Sequence, residues 1–124
     1  GRDNRGAMLR ALLKPSDHNS RLENRVADTS ANPFYAIASQ IISGLDGLQR
    51  GSIPPEATET PYDGARSLPR NLLEAIEAFE SSTLLSSHYG DGFQKYFAIL
   101  KRAEWERYLM TVSEWEQQEY FGLF

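Results

Sequence analysis

The chain changes its hydrophobic period once, near residue 30, and this change limits the folds that it can adopt. Before that point apolar and polar side chains alternate with the period of two that a strand requires. After it, apolar residues recur at the three- and four-residue spacing of an amphipathic helix. The sequence therefore predicts the α+β class, with the strands first and the helices after them.

The first part of the chain, residues 1–28, predicts a pair of strands. Residues 5–14 come close to alternation, and the stretch from Arg21 to Val26 alternates strictly. Between them lies a six-residue cluster of turn formers, Pro15 to Ser20, which predicts a hairpin loop. Two strands alone make a poor sheet. We therefore expect this β-hairpin to be a remnant of a larger antiparallel sheet.

A helix is predicted over residues 32–50, followed by a long loop. Asn32 is suited to cap this helix, and Pro33 occupies the first-turn position where a proline loses no hydrogen bond. Four of the six prolines then fall within residues 51–70. A loop of this length in a compact domain is usually functional or mobile.

The remainder, residues 71–124, is predicted to be helical. Asn71 and Glu74 form a capping pair that opens one helix, and Ser113 with Glu116 opens a short last helix. Between these two, Gly90-Asp91-Gly92 precedes a longer helix of about 15 residues. The predicted fold is thus a β-hairpin followed by about four helices.

Composition excludes several kinds of protein. With 124 residues the chain has the length of one domain, and its net charge of −4 argues against binding nucleic acid through bulk charge. No apolar run is long enough to span a membrane, and the N-terminus is too polar for a secretory signal. The absence of cysteine excludes disulfides and thiolate metal sites. It fits a reducing compartment, so a cytoplasmic location is expected.

Arg21, Glu23 and Arg25 are the sharpest candidate for chemistry. A period of two places all three on one strand face, with Cα atoms about 7 Å apart. One interpretation is a solvated ladder of surface ion pairs. The other is a phosphate and metal site, in which Glu23 binds a divalent cation and the arginines hold anionic oxygens. A single carboxylate is too few for a magnesium site, so the other ligands would have to lie elsewhere.

The remaining candidates are less distinctive. Arg5 and Arg10 have opposite parity on a straight strand, which disfavours a shared face unless a bulge or the strand start intervenes. His18 and His88 are isolated and lack the spacing of a metal site. No glycine-rich phosphate loop and no G-x-S-x-G motif occur, so the enzyme classes that use them find no support.

Several segments, in order and at matching spacing, resemble the glutamine synthetase family. Asn4 to Arg10 resembles the family's N-R-x4-R, and Arg21 to Arg25 resembles R-[IL]-E-x-R. Asp28 to Phe34 resembles D-x-x-A-N-P-Y, and Ser43 to Leu48 resembles A-G-L-D-G-I. The match covers essentially the whole chain but only the last quarter or so of a full synthetase. Because it offers a single plausible metal carboxylate, the chain alone is expected to be inactive.

The resemblance implies a role for each charged residue of the strand pair. Family members phosphorylate the side-chain carboxylate of glutamate with ATP, and ammonia then displaces the phosphate. Arg5 and Arg25 would be the catalytic and substrate-binding arginines, which hold glutamate and the transferred phosphoryl group. Glu23 would be the one ligand that this region supplies to Mg2+ or Mn2+. The ATP-binding residues would be Arg10, Arg21 and His18, the last at a position where many bacterial members have lysine.

The resemblance also implies partners and an assembly. The partners would be glutamate, ATP and ammonia or another amine, and the full-length protein would be a large ring-based homo-oligomer, a dodecamer. The segment from Val112 to Glu116 looks more like relatives that amidate glutamate with larger amines. Tyr62 lies near a tyrosine that some bacterial members adenylylate, but its surroundings match that site poorly. The alternatives are a non-catalytic assembly or interaction domain of the same ancestry, and a helical interaction module whose charged strand face is only solvated.

Overall fold

The computed structural model describes residues 5–63 and 67–123. The chain divides into two compact units, Gly1–Arg66 and Ser67–Phe124. Within the described residues there are two strands and five helices, so the α+β class and the order of hairpin before helices are confirmed. None of these helices is long and apolar enough to cross a membrane.

The first unit begins with an antiparallel hairpin of strands β1 (Leu9–Leu12) and β2 (Arg21–Asn24). The predicted hairpin is confirmed, but the first strand is shorter than the alternation over 5–14 suggested. Just beyond β1, Lys14 is bonded to a side chain and not to a partner strand. Its backbone N–H donates to the Ser20 hydroxyl, and its carbonyl accepts from the same hydroxyl. Since Pro15 follows with no N–H to donate, pairing stops there. The connection therefore spans eight residues, 13–20, rather than six.

Helix α1 (Pro33–Gln49) follows, and it starts as predicted. The Asn32 side chain accepts a hydrogen bond from the Phe34 N–H at 3.0 Å. At its other end Gly51 has a φ of +62°, and Ser52 N–H reaches back to the Gly47 carbonyl at 2.9 Å. This is the Schellman arrangement, which favours glycine at the left-handed position. The described part of the predicted loop, 51–63 and 67–70, contains no helix or strand.

The second unit contains α2 (Leu72–Glu80), α3 (Thr83–Tyr89), α4 (Asp91–Leu109) and α5 (Glu114–Tyr120). The capping of α2 by Asn71 and the capping box of Ser113 with Glu116 at α5 are both confirmed. Helix α3 was not predicted. Its seven residues are mostly polar, and the segment is too short to show the repeating apolar spacing of an amphipathic helix. Helix α4 is longer than predicted, since Gly92 lies inside it.

The core of the second unit lies where α2 and α4 pack together. Ile76 and Ala98 are the two buried apolar residues among those the structure describes. Phe79 and Phe97 meet edge to face across the two helices, with ring centroids 5.5 Å apart. Buried Gln94 of α4 donates from its side-chain nitrogen to the carbonyl of Phe79 at 2.6 Å and to that of Ser82 at 3.0 Å. One polar side chain therefore joins α4 to the end of α2 and the start of α3.

Candidate functional site

The hairpin brings the predicted charged residues together through its register. Arg10 of β1 lies directly opposite Glu23 of β2. Directly opposed residues of an antiparallel pair project to the same face. Their side chains form an ion pair, with Arg10 Nη1 3.4 Å from Glu23 Oε2 and with 55% and 43% of the side-chain surfaces exposed. Arg10 therefore joins the face that the sequence assigned to Arg21, Glu23 and Arg25.

The two arginines of β2 and its flank have different environments. Arg21 lies at the loop end of the hairpin, where its Nη1 donates to the Asn19 carbonyl at 3.0 Å. Arg25 follows β2 directly and is half-buried, and its backbone N–H donates to the Met8 carbonyl at 3.0 Å. That bond continues the ladder by one step at the open end of the hairpin. The two arginines thus mark opposite ends of the charged face.

Arg5 and His18, the remaining candidates, also lie toward opposite ends of the hairpin. Arg5 lies before β1, at the open end where Arg25 lies, so the opposite-parity argument drawn from a strand over 5–14 does not apply to it. His18 is exposed in the connection between the strands, beyond Arg21. From the open end of the hairpin to its loop end, the charged residues therefore lie in three groups: Arg5 and Arg25, then Glu23 with Arg10, then Arg21 and His18.

The exit from β2 is fixed by a local turn. Asp28 Oδ1 accepts hydrogen bonds from the hydroxyl of Ser30 at 2.6 Å and from its backbone N–H at 2.7 Å. These two bonds hold the pKa of the Asp28 carboxyl below its usual range, and the bond from the Ser30 hydroxyl is the larger cause. Asn32 then caps α1. This turn and cap give a structural reason for the spacing of aspartate and asparagine in the motif at 28–34.

The described residues do not form a complete metal site. Among residues 5–63 and 67–123, no group of three or more histidines or carboxylates is placed to hold a metal ion. Glu23 nevertheless fits as one ligand, because its carboxylate is partly exposed and its contact with Arg10 is long. Any further ligands would have to come from elsewhere than these described residues.

A contact that the sequence did not indicate lies next to Arg5. A Cβ built on Gly6 would lie 2.6 Å from Pro61 Cγ and 2.6 Å from Tyr62 Cζ, closer than real Cβ contacts. The loop after α1 thus returns to the start of the hairpin and contacts Gly6 on one side. The only sign of this contact in the sequence is the glycine itself. A glycine at such a position can mark a close backbone approach, but it can equally mark a bulge or a bend.

The comparisons with known proteins agree with these motifs. The family model described as glutamine synthetase, catalytic domain, matches residues 1–120. A gamma-glutamylanilide synthase from Acinetobacter sp is 41% identical over 98% of this chain and 27% of its own length. Glutamine synthetases from Halobacterium salinarum and Thermus thermophilus are 34% and 30% identical, each over 98% of this chain and 29% of its own length.

The chain thus spans less than a third of the length of these curated relatives. The match nevertheless includes the hairpin, the capped helix α1 and most of the second unit. Because the family model covers far more than half of the residues, the chain belongs to the glutamine synthetase catalytic domain family.

Proposed function

We propose that this chain is part of an ATP-dependent ligase that activates the side-chain carboxylate of glutamate and joins it to ammonia or another amine. The observation that carries the proposal is the register of the hairpin, which sets Arg10 opposite Glu23 on the face that Arg21 and Arg25 share. Metal ions and guanidinium groups stabilise the negative charge of a transferring phosphoryl group, so a carboxylate that could bind a metal among arginines supports this proposal.

The reaction has two steps, and each needs neutralisation of negative charge. A carboxylate oxygen of glutamate first attacks the γ-phosphorus of ATP, the bond to the β-phosphate oxygen breaks, and ADP leaves. The amine nitrogen then attacks the carbonyl carbon, the bond to the phosphate oxygen breaks, and phosphate leaves while the nitrogen loses a proton. Positioning and charge stabilisation, rather than covalent help from the protein, supply the rate enhancement of such transfers.

The order of residues along the hairpin suggests their roles. Arg5 and Arg25 at the open end would hold glutamate and the acyl-phosphate through their forked donors. Arg10 beside Glu23, with Arg21 and His18 further along, would hold the phosphates of ATP. The guanidinium groups toward each end would keep the two anionic substrates in line.

Glu23 would supply one carboxylate oxygen to Mg2+ or Mn2+. Both cations prefer carboxylate and phosphate oxygens, and the bound metal would neutralise charge on the transferring phosphoryl group. The other ligands would come from the part of a longer protein that this chain does not include. By family resemblance that protein would be a cytoplasmic, ring-based dodecamer with no nucleic-acid or membrane partner.

The acceptor is either ammonia or a larger amine. Relatives of both kinds match, and the one that is 41% identical is named as a gamma-glutamylanilide synthase. Together with the segment from Val112 to Glu116, this identity favours a larger amine. A non-catalytic assembly domain of the same ancestry is the alternative.

The deciding experiment uses the full-length protein. Phosphate and ADP release are measured with ATP, glutamate and Mg2+ or Mn2+ while the amine is varied over a panel that includes ammonia. We expect release that depends on both glutamate and an amine, with the γ-glutamyl amide as product. Omitting glutamate is the control for plain ATP hydrolysis. A protein with no glutamate-dependent turnover for any amine would favour the assembly domain instead.

A further inference from the structure

The loop after α1 packs its Pro61-Tyr62 corner onto the start of the hairpin. Asp63 N–H donates to the Thr60 carbonyl at 3.1 Å, so the four residues from 60 to 63 form a turn. Pro61 takes the second position of that turn, which its fixed φ suits, and Tyr62 takes the third. The corner of the turn faces Gly6, and a Cβ on Gly6 would lie only 2.8 Å from the Tyr62 hydroxyl oxygen. This close approach is possible because residue 6 has no side chain.

The position of this contact along the hairpin indicates which substrate Tyr62 can reach. Gly6 is bonded to Arg5 and lies two residues before Met8, the residue whose carbonyl accepts from the Arg25 N–H. Tyr62 is therefore at the open end of the hairpin, which carries the two arginines proposed to hold glutamate. The residues proposed to bind the nucleotide lie toward the other end.

The Tyr62 ring also has surface left for a ligand. Although it contacts Gly6, the residue remains 83% exposed. An aromatic ring beside a proline ring offers an apolar, flat surface with no charge of its own. Such a surface gives nothing to ammonia but gains contact area and stacking with a flat apolar group.

From this placement we infer that Tyr62 is a specificity-determining residue, which contacts the acceptor amine and favours a primary amine with a flat aromatic group. The inference rests on the proposed function for the order of substrates along the hairpin. No new covalent step is involved, since Tyr62 only adds binding surface for the attacking amine.

The test compares Tyr62→Ala and Tyr62→Phe in the full-length protein, with aniline and ammonia as the two acceptors. We expect kcat/KM for aniline to fall about tenfold more than kcat/KM for ammonia in Tyr62→Ala. Tyr62→Phe keeps the ring and should stay within about twofold of the wild type. Ile53→Ala, at another exposed position of the same loop, is the matched control and should change neither acceptor.

Calorimetric titration with aniline, in the presence of glutamate, separates this inference from the proposed function because it needs no turnover. Binding that is present in the wild type and in Tyr62→Phe, and lost in Tyr62→Ala, supports it. An equal loss for both acceptors, a raised KM for ATP, or no aniline binding to the wild type would overturn it. Failure of every amine to support turnover would count against the proposed function alone.

Discussion

At the scale of single residues, Glu23 decides between a ligase site and a surface ion-pair ladder. The side chains of Glu23 and Arg10 are about half exposed and 3.4 Å apart, so as a structural pair they contribute only about 0–1 kcal/mol to stability. As a metal ligand, Glu23 would supply a charge that a hard cation requires. We expect Glu23→Gln in the full-length enzyme to lower kcat/KM by about a hundredfold or more. Steady-state kinetics over a range of Mg2+ and Mn2+ concentrations checks this.

The metal dependence distinguishes the two roles of Glu23. Activity of Glu23→Gln should recover partly at high metal concentration, while the melting temperature without metal should stay close to that of the wild type. Glu56→Gln, a change of the same kind in the exposed loop after α1, is the matched control. Wild-type activity with wild-type metal dependence in Glu23→Gln would remove this residue from the metal site.

Arg25 tests whether a forked donor, and not just positive charge, is required at the open end of the hairpin. Lysine keeps the charge of Arg25 but replaces two parallel donors by one ammonium group. Loss of one positioned donor to developing charge costs about 10²–10³ in rate. We expect Arg25→Lys to lower kcat/KM for glutamate by that factor in steady-state assays. Arg50→Lys, at the exposed C-terminus of α1, is the control, and an unchanged kcat/KM in Arg25→Lys would make Arg25 part of the scaffold.

The sequence indicated the charged face but not its neighbours, for a physical reason. Strand periodicity places Arg21, Glu23 and Arg25 together because it depends only on local backbone geometry. The opposition of Arg10 to Glu23 depends on register, which the eight-residue connection sets, and the predicted six-residue loop would set a different one. The contact of Tyr62 with Gly6 joins residues 56 positions apart, and no local pattern reports such a contact.

At the scale of elements, capping residues were predictable and the buried polar link of Gln94 was not. Asn32, Asn71 and Ser113 each act on backbone N–H groups two or three residues away, so their sequence signatures are short and readable. From the sequence, a polar glutamine in α4 would be expected to face solvent. Gln94 is buried because α2 ends and α3 begins beside it, and this depends on how the helices pack.

We expect Gln94→Leu to destabilise the protein by about 1–3 kcal/mol. The substitution keeps the volume but removes two hydrogen bonds to the backbone carbonyls of Phe79 and Ser82, each worth about 0.5–1.5 kcal/mol. Urea unfolding followed by circular dichroism measures the change in the free energy of unfolding, provided that its slope against urea concentration is the same in both proteins. Gln118→Leu on the exposed side of α5 should shift stability by less than about 0.5 kcal/mol. Equal midpoints for the two variants would show that the buried bonds contribute nothing.

At the scale of the whole molecule, most of the apolar surface that the helical patterns predicted to be buried is exposed in this chain. Helix α1 presents a stripe of exposed apolar side chains, and Phe34 at its start is 80% exposed. On the hairpin, Leu22 on the face opposite the charged residues is also exposed. An amphipathic pattern predicts which face is covered, but it carries no information on what covers it. The predicted remnant of a larger sheet is consistent with this exposure.

The same argument leads to the expectation that the 124-residue chain has no ligase turnover by itself. Its described residues offer Glu23 but no cluster of carboxylates or histidines that could hold a metal, and phosphoryl transfer without the metal leaves the charge of ATP unneutralised. Relatives are more than three times as long, so they have ample further sequence to supply such ligands.

Phosphate release by the purified chain with ATP, glutamate, Mn2+ and each amine should therefore not exceed the rate without glutamate. The Glu23→Gln form of the same chain, purified in parallel, identifies activity from a contaminating synthetase, because such activity would be equal in both preparations. Glutamate-dependent release that is present in the wild-type chain and absent in Glu23→Gln would contradict the expectation. It would mean that Glu23 and the arginines of the hairpin assemble a metal site with no ligand from outside this chain.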